Sequence, residues 1–535
     1  MGRAGRRMPV ATPIEQGALS RTLVMGRKGI RLPVAVQQPM PVPRSGSVQG
    51  GRRAATVLGV AVSLLAACAT YTPKPIAPAE TAGALERRTL DDSRLWQFIA
   101  AASPTHASAA PAWDISTLTL AALYYHPEVE VSRTRLALAR AGVITAGQIP
   151  NPTLKLSPGS GVLATEAPTA MTIGFLVTFV IETFGKREAR IERARHLVEA
   201  ARQDVATAAW QIRAGVRTAL LDMWAAEGRL RLAVKRRTLQ EQIVALLERR
   251  FTAGESSALD VARERINLSQ ITLSARESER QAAEARARLG AAVGVPGRAL
   301  EQVRIGLSTF DNPPEMPNVN DISEGSLRRQ ALQGRTDVLA LLADYEAVQS
   351  ALRLEVARQF PNISVGPGYA YDQGDNLYNF ELNVDLPVFN QNQGQIAEAA
   401  ARRKEAAAKF VALQAKIIGE IDRALASFRG AVRTLATADA LLQSQVRRRQ
   451  QIDRAFQMGE VDRLAPLTAD LEQEVVQLAR YEALVQVREA MALLEDALQH
   501  SMFDAGDAYI RLPEKSQGHL DMPDTEAPRP AAAIR

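Results

Sequence analysis

The chain has 535 residues, of which 46% are hydrophobic and 23% charged, and its formal net charge is +7. Part of that positive charge lies before residue 68, in an arginine-rich segment that we expect to be removed, so the composition does not favour nucleic-acid binding. The single cysteine, Cys68, excludes an internal disulfide, and the length allows several domains or one elongated domain.

The N-terminal segment has the pattern of a secretory signal. Arg52 and Arg53 precede a short apolar run over residues 54–67, and Cys68 follows this run directly. The run is too short for a membrane-spanning helix, which needs about 20 apolar residues. Its end, Leu-Ala-Ala-Cys, resembles the lipobox of bacterial lipoproteins, which implies a lipid on Cys68. Ala69, in place of an aspartate, favours the outer membrane. The alternative for Cys68 is a buried free thiol.

The first half of the remaining chain alternates between helical and strand-like patterns. A helical stretch over residues 116–148 precedes two segments of period-two alternation, at 153–157 and 172–181, which predict strands. Residues 185–254 contain no proline and predict one helix, roughly 100 Å long at about 1.5 Å per residue. A shorter helix is expected over residues 258–293. We expect the two shorter helices to lie end to end alongside the long one.

The second half repeats the first. Phe251-Thr-Ala-Gly254-Glu255 returns as Phe456-Gln-Met-Gly459-Glu460, at an offset of 205 residues, and this self-similarity indicates a duplicated structural unit. The second copy predicts helices over residues 325–358, 394–459 and 464–500 and strands over residues 362–371 and 377–386.

The last predicted strand, over residues 377–386, has one apolar and one polar face. Its length suits a transmembrane strand, so we expect Phe380, Leu382 and Val384 to face lipid. The polar residues expected to line the water-filled lumen are Glu381, Asn383 and Asp385. Four strands cannot close a barrel, and open strand edges are not tolerated in lipid, so a membrane location requires oligomerisation.

The repeated Gly-Glu pairs fall at the turns between the long and short helices. Glycine at Gly254 and Gly459 permits the positive φ that ends many helices. Glu255 and Glu460 place negative charge at the same turns.

Catalysis has little support in the sequence. The histidines are scattered, without a pair at metal-ligand spacing, and no P-loop is present. We therefore expect no enzymatic activity, no metal site and no cofactor other than the covalent lipid. The five histidines are His106, His126, His196, His500 and His519.

Several short motifs, in order and partly in duplicate, resemble those of the TolC-like outer membrane efflux proteins, also called outer membrane factors. The resemblance spans residues 116–500, and its Pro-Asn-Pro and Gly-Lys-Arg features resemble the heavy-metal efflux branch. The motifs are His126-Pro127-Glu128, Pro150-Asn151-Pro152, Ile181-Glu-Thr-Phe-Gly-Lys-Arg187, Ala253-Gly254-Glu255, Leu259-Asp260-Val261, Pro361-Asn362, Leu386-Pro-Val-Phe-Asn390 and Gly394.

The resemblance implies an α+β membrane protein that assembles as a homotrimer. Each protomer would give four strands to a twelve-stranded outer-membrane β-barrel, which a long periplasmic α-helical barrel continues. It also implies two partners: a periplasmic adaptor, which would dock at Gly254, Glu255, Gly459 and Glu460, and an inner-membrane pump of the RND type. The chain would be lipid-anchored in the bacterial outer membrane, with helices extending into the periplasm.

The expected domain organisation follows the duplication. Residues 1–67 form an N-terminal extension and signal, 68–115 a linker, 116–293 the first repeat, 294–323 an equatorial segment, 324–500 the second repeat and 501–535 a tail. Two alternatives remain at this stage: an outer-membrane channel for type I protein secretion, and a periplasmic lipoprotein that serves as a coiled-coil adaptor or scaffold. A secreted enzyme is opposed by the missing catalytic constellation. Metal ions, small organic molecules and polypeptides all remain candidate cargoes.

Overall fold

The structure, a computed structural model, consists of two compact units, Met1–Ile76 and Ala77–Arg535. It describes residues 71–102, 113–160, 171–311 and 323–501. Of the first unit only residues 71–76 are described, and these contain neither helix nor strand. All elements named below belong to the second unit.

The described part of the chain follows the predicted alternation of helices and strands. The elements of its first half are α1 (Pro78–Glu86), α2 (Ser93–Ala102), α3 (Ile115–Tyr125), α4 (Pro127–Ala146), β1 (Thr153–Ser160), β2 (Met171–Ile181), α5 (Lys186–Thr252) and α6 (Ala258–Val293). The elements of its second half are α7 (Arg298–Glu301), α8 (Ser308–Asp311), α9 (Glu324–Gly334), α10 (Thr336–Ala357), β3 (Ile363–Asp372), β4 (Asp375–Val384), α11 (Gln393–Gln457) and α12 (Leu464–Leu498).

The two long helices confirm the prediction made from the proline-free stretches. α5 has 67 residues and α11 has 65, so each is roughly 100 Å long at about 1.5 Å per residue. α5 begins directly after Gly185, which has a φ of +70°, and α11 begins after Asn392, which has a φ of +63°. Helices of this length need lateral partners, because most helical stability comes from packing.

The helices pack side by side in a defined order. Near the turns the order is α6–α5–α12–α11, and towards the strands it is α4–α5–α10–α11. Each long helix therefore has the two shorter helices of its own copy along its length, as the sequence predicts, and α5 also contacts the two of the second copy. Within the described residues, α6 and α4 form one lateral border of this row and α11 forms the other.

Two of the predicted helices are each divided in two. The helix expected over residues 116–148 is interrupted at His126, because Pro127 lacks an N–H and suits only the first turn of a new helix. The helix expected over residues 325–358 is interrupted at Arg335, which adopts an extended conformation. Its guanidinium donates to Ala497 O at 2.7 Å and pairs with Asp337. The second interruption has no proline, so the sequence pattern did not reveal it.

A buried aromatic contact joins the two copies near the middle of α5. The indole of Trp224 donates to Asp311 Oδ1 at 2.8 Å, and the Tyr481 hydroxyl donates to Trp224 O at 2.7 Å. A Cβ at Gly228 would lie 2.0 Å from the Tyr481 ring, so the close approach of α12 to α5 requires glycine there. This region belongs to the largest hydrophobic core, which also includes residues from α2, α3 and α6.

A buried ion cluster holds the end of α12 against α5. Arg217 pairs with Glu495, and it also donates to Asp496 Oδ1 at 2.5 Å and to Ala492 O at 2.8 Å. The side chains of Arg217 and Glu495 are 6% and 4% exposed, so removal of either partner would leave a buried charge.

Candidate functional site: the helical turns and the sheet

The two turns between long and short helices have the same backbone structure. Gly254 and Gly459 have φ values of +80° and +76°, the left-handed conformation that glycine adopts without strain. In the first turn the Glu255 N–H donates to Arg250 O at 2.8 Å, and the Glu460 N–H makes the corresponding bond in the second turn. A Cβ on either glycine would meet no atom within 4 Å, so both turns present open backbone at their surface.

The turns differ in how the following helix begins. Ser257 caps α6, because its Oγ accepts from the Asp260 N–H at 3.1 Å and donates to Asp260 Oδ2 at 2.6 Å. In the second turn Asp462 has this role, with its Oδ1 accepting from the Leu464 N–H at 2.9 Å. Both carboxylates are hydrogen-bonded in the charged form, which lowers the pKa of Asp260 and of Asp462 below the usual aspartate value.

An ion pair connects the two turns to each other. Arg250 Nη1 donates to Asp462 Oδ2 at 2.7 Å, and this hydrogen bond is the largest cause of the lowered pKa of Asp462. Leu464 and Leu471 of α12 pack against Ile243 and other apolar residues of the first helix pair. The two turns are therefore neighbours at one end of the helix row.

A groove lies beside the turns, between three helices. It has a volume of about 410 Å³ and is lined from α5, α6 and α12. Its apolar side includes Ile243, Leu247 and Leu471, and its polar side includes Gln240, whose amide donates to Glu264 Oε2 at 2.6 Å. We call this the first groove.

The four strands form one antiparallel sheet in the order β1–β2–β3–β4, which confirms the four predicted strands. β2 pairs with β3 at the centre, so the two copies meet in the middle of the sheet. β1 and β4 are the edge strands, and among the described residues neither has a second neighbour.

One face of this sheet is apolar across all four strands. The register places apolar side chains opposite one another, and most of the large ones are exposed: Phe380 by 70% and Leu382 by 64%. The members of this apolar face are Leu154, Leu156, Pro158, Ile173, Phe175, Val177, Phe179, Ile181, Ile363, Val365, Pro367, Tyr369, Tyr371, Tyr378, Phe380, Leu382 and Val384.

The opposite face carries mainly polar and small residues, together with Leu176, Val180 and Leu377, and is the more crowded face. A Cβ at Gly366 would lie 2.9 Å from Val177 O, and a Cβ at Gly368 would lie 2.7 Å from Asn379 Oδ1. Glycine at these positions allows neighbouring strands to approach closely, as in a sheet that bends towards this face. We call this the polar face.

The structure places two of the three candidate lumen residues on the polar face. Glu381 lies opposite Gly366, and Asn383 lies opposite Ser364, both within β4. Asp385 does not belong to the strand, which ends at Val384 although the prediction extended it to residue 386. Pro387 follows two residues after Asp385 and has no N–H to donate to a sheet. The alternating sequence pattern therefore continues beyond the last paired residue of β4.

A buried lysine fastens the junction between the sheet and α5. Lys186 Nζ donates to Phe360 O at 2.6 Å and to Asn362 Oδ1 at 2.5 Å. Thr183 Oγ1 donates to Pro361 O at 2.6 Å, and the rings of Phe184 and Phe360 stack with centroids 3.8 Å apart. The Lys-Arg pair at this boundary therefore has a structural role, with Lys186 joining the first copy to the second.

Cys68, the candidate lipidation site, lies outside the described residues. Across the described ranges, no three His, Cys, Asp or Glu side chains come together in a way that could hold a metal ion. None of the described helices has a stretch long and apolar enough to cross a membrane.

Comparisons with known proteins agree with this architecture. The family model described as "Outer membrane efflux protein" matches residues 119–295. The cobalt-zinc-cadmium resistance protein CzcC of Cupriavidus metallidurans is 27% identical over 273 residues, which cover 51% of this chain and 62% of CzcC. The pyoverdine export outer membrane protein OpmQ of Pseudomonas aeruginosa is 25% identical over 429 residues, covering 74% of this chain and 87% of OpmQ.

Solved structures share the fold at lower sequence identity. The outer membrane protein VceC of Vibrio cholerae superposes with a TM-score of 0.59 at 18% identity, covering 73% of this chain and 97% of VceC. The duplicated helix row with its four-stranded sheet is thus a fold that this chain shares with VceC. In sequence the chain is similar to outer membrane efflux proteins, with the family match confined to residues 119–295.

Proposed function

We propose that this protein is the outer-membrane channel of a tripartite efflux system. It would passively conduct cargo, delivered by an inner-membrane pump of the RND type and a periplasmic adaptor, across the periplasm and the outer membrane. The observation that carries the proposal is the apolar, exposed face of the four-stranded sheet, set against a polar face in the same register. Alternation of this kind suits strands with lipid on one side and water on the other.

The edges of the sheet support a trimer. β1 and β4 would each leave unpaired N–H and C=O groups in lipid, at a cost of several kcal/mol per group. Pairing β4 of one protomer with β1 of the next removes both edges, and three protomers would complete a twelve-stranded barrel. Glu381 and Asn383 would then line its lumen, with Asp385 at the periplasmic rim.

The helices supply the periplasmic part of the conduit. α5 and α11 each extend roughly 100 Å from the sheet, so the turns at Gly254 and Gly459 would lie deep in the periplasm. The open backbone at the two glycines, beside Glu255 and Glu460, would form the docking surface for the adaptor. A lipid on Cys68 would add a second attachment to the outer membrane.

The proposed cargo follows from two relatives and from sequence motifs. The name of CzcC refers to cobalt, zinc and cadmium, and the name of OpmQ refers to pyoverdine. We propose metal ions as the first cargo class, in line with the Pro-Asn-Pro and Gly-Lys-Arg motifs, and a small organic molecule as the second. No energy source is needed in the channel itself, because the pump supplies it.

Membrane extraction tests the channel against the lipoprotein scaffold. Residues 1–68 are replaced by a cleavable signal, so that no lipid anchor is present, and outer membranes are washed at high salt and alkaline pH. The proposal predicts that the protein remains in the membrane and is released only by detergent. Release into the wash would contradict it, because a scaffold held only by lipid has no other anchor.

A further inference from the structure

The connection between the two copies binds α5 and α12 at the same level of the helix row. Asp311, at the end of α8, accepts the indole N–H of Trp224 on α5 at 2.8 Å. Arg488 of α12 donates from Nη2 to the backbone oxygen of Phe310 at 2.7 Å. Trp224, Phe310 and Arg488 are all buried. We call these four residues, together with Tyr481, the linker clamp, because they fasten both helices to the linker between the copies.

Within the linker clamp, α12 approaches the backbone of α5 closely. The Tyr481 hydroxyl donates to Trp224 O at 2.7 Å, and the centroids of the two rings are 4.9 Å apart. A Cβ at Gly228 would lie 2.0 Å from Cζ of Tyr481. The ring could avoid such a Cβ only by giving up its hydrogen bond and its contact with the indole. The linker clamp and Gly228 therefore fix the position of α12 on α5 at this level.

The contacts between α5 and α12 differ on the two sides of the linker clamp. On the side towards the sheet, Arg217 and Glu495 form a buried ion pair. On the side towards the turns, each ion pair has one side chain that is at least 38% exposed: Arg229–Glu482, Lys235–Glu474 and Arg250–Asp462. The first groove lies between α12 and the first helix pair there, and Leu464 and Leu471 stay half-exposed beside it. The helices are therefore held more firmly at the clamp than at the turns.

On the side towards the turns the helices form two pairs, each with its own core. Ile243 of α5 packs with Val261 of α6, and Leu435 of α11 packs with Val487 of α12 and its neighbours. Each pair should therefore move as a unit. The start of α12, at Leu464, is about 25 Å from Tyr481 at about 1.5 Å per residue, so a tilt of about 5° at the clamp would displace the turn by roughly 2 Å.

We infer that the linker clamp and Gly228 are positioning residues, which set the spacing of the two turns and thereby of the proposed docking surface for the adaptor. The inference rests on the proposed function, because that function assigns docking to the turns at Gly254 and Gly459. An adaptor that contacts both turns needs them at a defined spacing. The exposed pair Arg250–Asp462 holds the turns together, whereas the buried contacts of the clamp define the angle between the two helix pairs.

Distances between spin labels test the inference in the full-length protein without its adaptor. The labels are attached at Glu255→Cys and Glu460→Cys in a Cys68→Ser background, and labelled chains are diluted with unlabelled chains so that distances within one chain dominate. Gly228→Ala should shift the mean distance by roughly 2 Å, because either α12 moves or the Tyr481 ring leaves the clamp. The matched control is Gly215→Ala on the same helix. A Cβ there would meet no atom within 4 Å, so the distance should not change.

A second pair of labels separates positioning of the turns from general stabilisation. Arg193→Cys on α5 and Arg402→Cys on α11 replace exposed residues on the sheet side of the clamp. Their distance should be the same in the wild-type background and in Gly228→Ala, because the buried Arg217–Glu495 pair remains. Equal shifts in both label pairs would show that the clamp stabilises the whole helix row, and they would overturn the inference. An unchanged distance at the turns would also overturn it.

Substitution of Asp311 keeps the inference testable if Gly228→Ala does not fold. Asp311 is exposed, so the chain should tolerate changes there. Asp311→Asn retains an acceptor oxygen for the Trp224 indole and should keep the wild-type distances, whereas Asp311→Leu removes the acceptor and should broaden the distances at the turns. Identical distances in the two variants would overturn the inference.

Cross-linking to the adaptor, measured in the same variants, separates the inference from the proposed function. We expect Asp311→Leu to lower the yield several-fold relative to Asp311→Asn. Equal yields would overturn the inference and leave the proposed docking surface in place. Failure of the wild-type chain to cross-link would overturn the docking surface itself, and with it the role assigned to the clamp.

Discussion

Arg250 of the first turn and Asp462 of the second form an ion pair, with Nη1 and Oδ2 2.7 Å apart, that fastens together the ends of two helix pairs far from the sheet. Its side chains are 25% and 50% exposed. The pair is therefore accessible to solvent and salt, in contrast to the buried Arg217–Glu495 pair further along the same two helices. Removing one partner of the contact between the turns should therefore cost less than removing one partner of the buried pair.

We expect Arg250→Gln to loosen the turns without unfolding the chain. A partly exposed ion pair contributes about 0.2–1 kcal/mol, and this contribution should decrease with salt. Hydrogen exchange of peptides that contain the turns should rise in the variant, and the double variant Arg250→Gln, Asp462→Asn should add little further. Equal exchange in the wild type and Arg250→Gln would contradict a stabilising role for the pair.

The pH dependence of this contact follows from the lowered pKa of Asp462. A carboxylate whose pKa falls on folding contributes stability above the unfolded value, about 3.9 for aspartate, and loses it as the pH falls through the folded value. Exchange at the turns, corrected for its intrinsic rate, should be constant between about pH 5 and 8 and rise only below about pH 4. A transition near pH 6 would show that another group controls the turns.

Substitution of the turn glycines should separate assembly from docking. A residue with a Cβ at Gly254 or Gly459 has room but must adopt positive φ, which costs roughly 1 kcal/mol. We expect Gly254→Trp or Gly459→Trp to leave the trimer and its membrane insertion intact while abolishing cross-linking to the adaptor. Gly459→Asn, which tolerates this conformation, is the control and should retain docking. Normal docking in both tryptophan variants would remove the turns from the adaptor interface.

The two faces of β4 should respond differently to the same substitution. Arginine at Phe380, on the apolar face, should lower the free energy of unfolding in lipid by roughly 2–4 kcal/mol at the middle of the membrane. Arginine at the neighbouring Glu381, on the polar face, should cost far less. Denaturant titration of the protein in vesicles measures both. Similar losses at the two positions would contradict a barrel wall.

Cys68 should carry the lipid. Intact-mass analysis of the protein from its native membrane should show a chain that begins at an acylated Cys68. Cys68→Ser should lose that modification yet remain in the outer membrane, because a single acyl chain gives only marginal affinity beside a spanning structure. A mature chain that begins elsewhere, with Cys68 unmodified, would refute lipidation.

The sequence predicted most elements because their signals are local. Proline-free stretches and flanking glycines located α5 and α6 to within one or two residues, and the repeated Gly-Glu pairs located both turns. Alternation located the strands, but the pattern in β4 continued through Asp385 beyond the last paired residue. Hydrophobic alternation indicates which side chains of a segment can face water, but it does not indicate where strand pairing ends. Here the pairing of β4 ends shortly before Pro387 and the turn into α11.

These local sequence signals could not predict contacts between distant parts of the chain. The local signal at the helix break near Arg335 is a single glycine, Gly334, whereas the hydrogen bond from Arg335 to Ala497 O reaches a residue 162 positions later. The Arg250–Asp462 pair and the first groove likewise require α5 and α12 to be neighbours. The offset of 205 matches Leu259 with Leu464. Only the packing shows that Leu259 is exposed whereas Leu464 is half-buried.

Cargo accumulation in cells tests the efflux function most directly. A strain that lacks this gene is loaded with cobalt, zinc or cadmium, and its metal content is compared after expression of the wild-type chain, the Gly459→Trp variant or an empty vector. The account predicts that the wild-type chain lowers the retained metal several-fold and that Gly459→Trp, although inserted and trimeric, does not. If the wild-type chain leaves retention of these metals, and of a small organic cargo tested in parallel, equal to that of the empty vector, the chain is not the outer-membrane channel of an efflux system.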